Sequence, residues 1–343
     1  MQVFPDLFVR NIVYFRDRRC LSLFIYSSTK YNVLVNTLLI IDSHALIHRA
    51  YHAIPPLTTK SGIPTNALYG YFNLVQKAIT DIQPTHLVAC FDTPTESFRK
   101  KIVEHYQATR KPTEDNLKVQ FNLVKEVVDS AHIRRFEADG YEADDVMGTI
   151  VEKIQSSVVS RQTGNELRII ILSGDKDMFQ LVNDRVFVLT PQIGFSKSLL
   201  YGPKEVVTKL GIPPDKVADF KALSGDPSDN YEGIRKIGPK TAVKLIEQYG
   251  SIENMSERFD SETMDMLRKM KEVSTIVRDV PNIETNIDEL EFHGFGGEDL
   301  LKTLQKYELY SLITRFFPKN KKSDQVPKPK VKQEAPPSQD SLF

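Results

Sequence analysis

The sequence predicts an α/β fold, a mainly parallel sheet flanked by helices, followed by an all-helical region. Short, unbroken apolar runs alternate with segments of helical periodicity over residues 38–202. Unbroken runs are typical of parallel strands, because both faces of such strands are buried. After about Gly202 the strand-like runs stop, and helical periodicity continues to about Phe317. This change predicts a second, helical part of the chain.

The strands and helices of the first part are predicted from their apolar patterns. The predicted strands are short apolar runs at 38–41, 86–91, 167–172 and 186–189. The predicted helices have an apolar period of about 3.6 residues, and they cover 43–53, 66–82, 117–131 and 142–156. Strands that alternate with helices in this way favour a parallel sheet over a sandwich or a barrel.

The composition divides the chain into four predicted parts: 1–37, 38–202, 203–317 and 318–343. Residues 1–37 form an extension of uncertain structure, for which untranslated upstream sequence is the alternative. The last part is rich in Lys, Pro, Gln and Ser, which favours a disordered tail.

The bulk composition is that of an ordinary globular protein. The 343 residues carry 45 basic and 45 acidic side chains, so net charge does not indicate a partner. The two cysteines exclude a disulfide scaffold and favour the reducing cytoplasm. No apolar run is long enough for a membrane span. We expect a monomer without membrane contact.

Three predicted strands each end in an aspartate: Asp42, Asp92 and Asp175. Ligands of an open α/β sheet bind outside the carboxyl ends of its strands, so these side chains are expected to converge. A single aspartate after a strand is more often a helix cap or a turn former. Three in register with the strand pattern are better explained by a shared site.

Further carboxylates follow at the ends of predicted elements: Glu142, Asp144, Asp145, Asp177, Asp226 and Asp229. Nine carboxylates packed without counterions would repel each other and take up protons. Divalent cations remove this repulsion, and oxygen ligands without a Cys/His set favour Mg²⁺ or Mn²⁺. Two such ions can activate a water and stabilise the leaving oxygen of a phosphodiester.

The carboxylate segments resemble a known family, the 5′-nuclease domain of bacterial DNA polymerase I and its flap-endonuclease relatives. The resemblance covers roughly 38–317 and is carried by the segments 41–43, 91–92, 141–145, 173–177 and 225–230. It implies a PIN-like or resolvase-like nuclease domain over 38–202, with a helical arch, followed by a DNA-binding helix–three-turn–helix. No polymerase segment follows, so we expect a stand-alone form.

The resemblance implies two metal groups that together hold two Mg²⁺ or Mn²⁺ ions. The first group is built around Asp42, Asp92, Glu142, Asp144 and Asp145. The second is built around Asp175, Asp177, Asp226 and Asp229, and Asp145 is a candidate for both groups. These nine carboxylates and Arg110 are the predicted catalytic residues.

The resemblance also implies two DNA-binding segments. The arch corresponds to about 96–116, with the candidate contacts Arg99, Lys100, Tyr106, Arg110 and Lys111, and Arg49 lies one helix earlier. The hairpin would grip duplex DNA and bind K⁺, with the candidate contacts Gly233, Arg235, Lys236, Gly238, Lys240, Thr241 and Lys244. Three residues depart from the family pattern: Gln107 replaces a lysine, and Ser43 and Lys236 replace glycines.

The final residues resemble the peptide by which bacterial replication proteins dock on the sliding clamp. Leu342 and Phe343 would fill an apolar pocket, and Gln339 would fix the register. An incidental polar tail is the alternative.

The predicted function is that of a 5′-3′ exonuclease and 5′-flap endonuclease in replication and repair, acting at the nucleoid. Its substrate is DNA with 5′ flaps or 5′ ends, or an RNA–DNA hybrid. The alternatives are a non-catalytic module that recognises branched DNA, a PIN-class ribonuclease or a small-molecule phosphohydrolase. An intact carboxylate set argues against the first, and the hairpin after Asp229 argues against the others.

Overall fold

The computed structural model describes residues 36–110, 112–160, 167–192 and 198–318, without the side chains of 158–160. Eight strands are present in these ranges: β1 (Asn36–Asp42), β2 (His86–Cys90), β3 (Arg134–Phe136), β4 (Leu167–Leu172), β5 (Val186–Pro191), β6 (Ser198–Tyr201), β7 (Gly225–Asp226) and β8 (Tyr231–Glu232). None of the described helices is both long enough and apolar enough to cross a bilayer.

The α-helices of the described residues are α1 (Ser43–Ala53), α2 (Asn66–Ile82), α3 (Arg99–Ile102), α4 (Asp115–Ser130), α5 (Ala143–Ser160), α6 (Pro203–Leu210), α7 (Val217–Ser224), α8 (Pro239–Tyr249), α9 (Ser261–Ser274), α10 (Glu298–Lys306) and α11 (Tyr310–Phe316). Short 3₁₀ helices cover Asp177–Leu181, Pro214–Lys216, Ile252–Met255 and Ile287–Leu290.

Six strands form one sheet in the order β3-β2-β1-β4-β5-β6. All neighbours are parallel except β5 and β6, which pair antiparallel at one edge. From β1 the chain first builds one side of the sheet through β2 and β3, and then returns to β4 on the other side. The carboxyl ends of β1 and β4 therefore flank a switch point, where ligands of such sheets bind.

The two faces of the central strand belong to two different cores. Leu38 and Ile40 belong to a core with α5, α6, α7, α8 and α9, whereas Leu39 and Ile41 belong to a core with α1, α2, α4, α10 and α11. These four side chains are at most 1% exposed. Burial on both faces is the reason for the unbroken apolar run, and the predicted α/β class with a helical second part is confirmed.

Several details differ from the sequence prediction. Strands β3 and β6 were not predicted, and the second part contains the two-residue strands β7 and β8. In the segment predicted as a helical arch, the described residues contain the four-residue helix α3 and the first two residues of α4. The domain boundaries remain predictions. Of the predicted extension 1–37 and the predicted tail 318–343, residues 1–35 and 319–343 lie outside the described residues.

Candidate metal-binding cleft

Asp42 lies at the end of β1 and begins the cleft. Its carboxylate accepts a hydrogen bond from the Ala45 backbone N–H at 3.0 Å, which caps α1. Its other oxygen accepts a bond from the Ser173 hydroxyl at 2.5 Å. Asp42 is 3% exposed, and burial raises its pKa to about 7, with further contributions from Asp175 and Asp92. The side chain is therefore held in place but is costly to ionise without a cation.

Asp92 lies just after β2, and Glu142 lies just before α5. An Asp92 oxygen accepts the Ala143 backbone N–H at 2.6 Å, and the other lies 3.2 Å from His44 Nδ1. Glu142 accepts a hydrogen bond from the Tyr106 hydroxyl at 3.2 Å. Burial raises the pKa of Glu142, although Arg99 opposes the shift.

Asp144 completes this first group, which we define as Asp42, Asp92, Glu142 and Asp144. Burial raises the pKa of Asp144 well above its ordinary value, and the charges of Asp175 and Asp42 raise it further. Asp175 follows β4 and is exposed. Its negative charge raises the pKa of Asp42, Asp144 and Asp177, so it lies between the two groups.

Asp145 does not face this cleft, contrary to its predicted role as a metal ligand. It is fully buried, and its two oxygens accept Arg99 Nη1 and Nη2 at 2.6 and 2.7 Å. The backbone N–H of Val277 donates to it as well, at 2.9 Å. The same contacts correct the predicted DNA contact of Arg99, which is 3% exposed and also donates to the Val273 carbonyl.

The second group is Asp177, Asp226 and Asp229, each of which brings one carboxylate oxygen within 4.8 Å of an oxygen from each of the other two. Lys221 of α7 reaches into it: the ammonium contacts Asp177 and lies 2.5 Å from an Asp226 oxygen. Burial raises the pKa of Asp177 to about 7, and Lys221 only partly opposes the shift. At Asp226 burial acts in the same sense, but Lys221 and Ser228 outweigh it and lower the pKa.

The arch segment meets the second group at Asp229. Arg110 Nη2 donates to an Asp229 oxygen at 2.8 Å, and Gln107 Nε2 donates to the same atom at 3.2 Å. The Gln107 backbone N–H bonds to the Asp229 carbonyl at 2.8 Å. The Arg110 side chain is 54% exposed. It can therefore reach a ligand in the cleft while it pairs with Asp229.

The other predicted arch contacts differ in exposure. Lys100 is exposed and pairs with Glu96 at 2.8 Å, and Arg49 on α1 is half-buried. Tyr106 is 3% exposed, so the predicted contact of its ring with DNA does not fit this structure. Lys111 lies outside the described residues, as do Gln339, Leu342 and Phe343.

The predicted hairpin lies between α7 and α8. Its basic side chains Arg235, Lys236, Lys240 and Lys244 are exposed, as are Gly238 and Thr241. Gly238 directly precedes α8, where free backbone N–H groups can receive a phosphate. Lys236 has a φ of +70°, the left-handed conformation that explains why a glycine is usual there.

At position 233 close backbone packing, and not the predicted contact with a phosphate, requires a glycine. A Cβ atom there would lie 2.2 Å from the Gly225 backbone nitrogen and 2.4 Å from the Leu223 carbonyl oxygen. The missing side chain therefore allows the backbone of β8 to pass close to the end of α7. This approach helps to place Asp226 beside Asp229.

Sequence reasoning missed Lys221, Ser173 and the contact of His44 with Asp92. A signal for Lys221 was present, since this lysine stands between apolar residues of a helix that leads directly to Asp226. A buried lysine requires an acidic partner. Nothing local to Ser173 or His44 indicates their partners, which lie 131 and 48 residues away in sequence.

The chain is similar to known proteins over most of its length. The family described as "5'-3' exonuclease, N-terminal resolvase-like domain" matches residues 37–211, and "5'-3' exonuclease, C-terminal SAM fold" matches 212–297. The 5'-3' exonuclease of Aquifex aeolicus is 34% identical over 285 residues, which cover 81% of this chain and 94% of that protein.

DNA polymerase I of Bacillus subtilis is 33% identical over 290 residues, which cover 81% of this chain but 32% of the polymerase. This chain thus spans about a third of that relative. Among solved structures, "Divalent metal ions (zinc) bound to T5 5'-exonuclease" has a TM-score of 0.57 at 18% identity and covers 80% of this chain and 99% of that one. A bacteriophage T5 flap endonuclease pseudo-enzyme-product complex with DNA and metal ions has a TM-score of 0.52 at 18% identity, with 81% and 100% covered. These two structures share the fold.

Proposed function

The chain belongs to the 5′-3′ exonuclease family, and we propose that it is a nuclease that hydrolyses DNA at 5′ flaps and 5′ ends with two divalent cations. The observation that carries this proposal is the second group, in which Asp177, Asp226 and Asp229 each bring one carboxylate oxygen within 4.8 Å of the others. The charge of the strand-end Asp175 acts on Asp177 and so links this group to the central sheet. Carboxylates collected at one edge of a parallel sheet suit the binding of cations and phosphates.

The donor set fits divalent cations with a preference for oxygen. Asp177, Asp226 and Asp229 would hold one cation, and Asp42, Asp92, Glu142 and Asp144 would hold the other, with Asp175 between them. Bound cations of this kind lower the pKa of a water and stabilise the leaving oxygen of a phosphodiester. We propose Mg²⁺ as the natural cation and Mn²⁺ as a substitute, because both prefer carboxylate oxygen.

Basic groups around the cleft would hold the substrate. Arg110 is exposed beside Asp229, so its guanidinium can bind the phosphate next to the cut while Asp229 orients it. Arg49 and Lys100 would bind the departing strand. The exposed lysines of the hairpin would hold the duplex by its phosphates, and a K⁺ ion at that turn would be compatible with Lys236, whose backbone already has the conformation of a glycine.

We further propose that this activity removes flaps and RNA primers in replication and repair, at the nucleoid. The tail would dock the enzyme on the bacterial sliding clamp through Gln339, Leu342 and Phe343. Deletion of the last five residues tests this tail: clamp binding is lost while flap cleavage in the absence of clamp is unchanged. If the intact chain fails to bind the clamp, the docking proposal is wrong, whatever the outcome of the cleavage assay.

The nuclease proposal is tested with a 5′-labelled flap duplex, made once in DNA and once with an RNA flap. We expect cutting in Mg²⁺ or Mn²⁺ and none with a chelator. Asp175→Ala should reduce the rate by about 1000-fold or more, with DNA affinity in Ca²⁺ changed less than about three-fold. Binding without cutting in either cation would favour the non-catalytic module, and cutting of unstructured single-stranded RNA would favour the PIN-class ribonuclease.

A further inference from the structure

The Lys221 side chain lies largely buried against two carboxylates of the second group. Its side chain is 13% exposed, and the side chains of Asp177 and Asp226 are 15% and 12% exposed. Burial opposes the charge of a lysine, but the two carboxylates more than compensate and raise the pKa of Lys221 above its ordinary value. The ammonium thus supplies positive charge to oxygens that would otherwise repel one another.

The ammonium and a divalent cation cannot both be bound tightly by these oxygens. Asp177 and Asp226 contribute both to the Lys221 ion pairs and to the set of oxygens within 4.8 Å. At separations of about 4 Å, repulsion between two cations costs several kcal/mol even at an effective dielectric constant of about 20. When the cation binds, the Lys221 ammonium must therefore move away from these oxygens. If it stays, the electrostatic repulsion weakens cation binding.

A place for the displaced ammonium exists on the neighbouring ribbon. Tyr231 of β8 pairs directly with Asp226 of β7, so the two side chains project from the same face of the ribbon. Tyr231 is 5% exposed, and its buried hydroxyl has no hydrogen-bond partner among the described residues. Lys221, Asp177, Asp226 and Asp229 all act electrostatically on this hydroxyl. A buried hydroxyl without a partner is destabilising, so this oxygen is available to accept a hydrogen bond.

We propose that Lys221 is a built-in counter-cation of the second group, that the second divalent cation displaces it, and that the Tyr231 hydroxyl accepts the displaced ammonium. The proposal rests on the proposed function, because it assumes that the second group binds a cation. In the metal-free chain Lys221 keeps Asp177 and Asp226 together. When the cation binds, the exchange satisfies the Tyr231 hydroxyl, and this contact offsets part of the lost ion pairing.

The proposal separates Lys221 and Tyr231 by the sign of their effects on cation affinity. Removal of the ammonium removes a competitor, so Lys221→Met should tighten the second cation by about ten-fold or more. Removal of the acceptor leaves the displaced ammonium without a partner, so Tyr231→Phe should weaken that cation by about three- to ten-fold. The double variant should match Lys221→Met, since Tyr231 acts only through the ammonium.

The test is the binding of Mn²⁺ to the full chain without DNA, followed by electron paramagnetic resonance and titration calorimetry. Lys176→Met is the matched control, because Lys176 is an exposed lysine on the loop between Asp175 and Asp177. It removes the same charge without removing an ion pair to the second group. Lys221→Arg retains the charge and should not tighten binding. Thermal unfolding in chelator accompanies each titration, since Lys221→Met should destabilise the metal-free chain only.

Four outcomes are decisive. If wild type binds two Mn²⁺ ions and the variants shift the weaker one as described, the proposal holds. Equal affinities in wild type, Lys221→Met and Lys176→Met would overturn it and leave the proposed function intact, as would a weakening by Tyr231→Phe that persists in the double variant. If wild type binds fewer than two ions, the proposed two-cation function fails first, and this inference fails with it.

Discussion

The two carboxylate groups differ in how closely their carboxylates approach one another. In the second group three carboxylates bring oxygens within 4.8 Å of one another, and no other set of acidic, histidine or cysteine side chains among the described residues does so. Asp42, Asp92, Glu142 and Asp144 of the first group are instead held apart, each by its own hydrogen bonds or by the position of its backbone.

The cause of this difference is the location of the positive charge. Lys221 and Arg110 both reach the second group, so its carboxylates can approach one another. The cation next to the first group is the buried Arg99. Its guanidinium forms an ion pair with Asp145 and lies 3.9 Å from Glu142. Burial raises the pKa of Asp42 to about 7, and the charges of Asp175 and Asp92 add to the shift, so no nearby cation among the described residues holds this carboxylate in its charged form.

The largest expected effect comes from the buried ion pair between Arg99 and Asp145, which keeps Asp145 out of the first group. Arg99→Met leaves the Asp145 carboxylate buried without its partner, so the free energy of unfolding should fall by about 3–5 kcal/mol. Urea denaturation measures this loss. The control is Arg99→Met combined with Asp145→Leu, which should recover most of the stability because no charge remains buried. A loss below about 1 kcal/mol, together with weaker DNA binding, would restore the predicted DNA contact of Arg99 and break the comparison.

The next effect is the pH dependence of the metal-free chain. The pKa of Asp42 is about 7 in the folded state and 3.8 in the unfolded state, so the folded state binds more protons between these values. Stability in chelator should therefore fall as the pH rises from about 4 to about 7, by roughly 2–4 kcal/mol. Urea midpoints across this range measure the slope.

Asp42→Asn is the control for this slope, because the asparagine Oδ1 can still cap α1 while its Nδ2–H donates to the Ser173 hydroxyl. The variant should have a flatter profile and higher stability at pH 8 in chelator. Saturating Mg²⁺ should stabilise wild type at pH 8 and have a smaller effect on the variant. An equally steep profile in both proteins would mean that Asp42 is not the group that titrates.

The parts of the site that the sequence predicts are those set by local pattern. Asp42 and Asp175 follow apolar runs that form adjacent strands, so their meeting follows from the topology of any parallel sheet. Asp144 and Asp145 show where this reasoning ends. Neighbours on a helix project about 100° apart, and only one can face the cleft. Arg99, 46 residues earlier, selects Asp145 for the interior, and no local signal indicates that choice.

The same limit applies to short elements. Strand β3 has three residues and includes two arginines, so its apolar pattern is too weak to predict, and pairing with β2 defines it. The predicted arch segment does not form a long helix. Gln107 in this segment has a left-handed φ of +57°, and its backbone turns there to bond to Asp229. In both places tertiary hydrogen bonds determine the local structure.

A smaller effect tests whether the exposed cation of the second group acts on substrate. Arg110→Met should change the free energy of unfolding by less than about 1 kcal/mol, because an exposed ion pair contributes little. Flap cleavage should fall by about ten-fold or more, since a charged donor beside the phosphate is lost. Cleavage under single-turnover conditions separates this loss from binding. Unchanged cleavage would make Arg110 a structural partner of Asp229 alone.

The smallest effect concerns Lys236, an exposed cation outside both groups. Its φ of +70° costs a residue with a side chain about 1 kcal/mol relative to glycine. Lys236→Gly should therefore be more stable than Lys236→Ala by about that amount, as measured by urea denaturation. Both variants remove the same charge, so both should weaken duplex binding equally and leave Mn²⁺ affinity unchanged. An increase in Mn²⁺ affinity in either variant, as expected for Lys221→Met, would contradict this comparison. The effect of Lys221 would then be that of any nearby lysine.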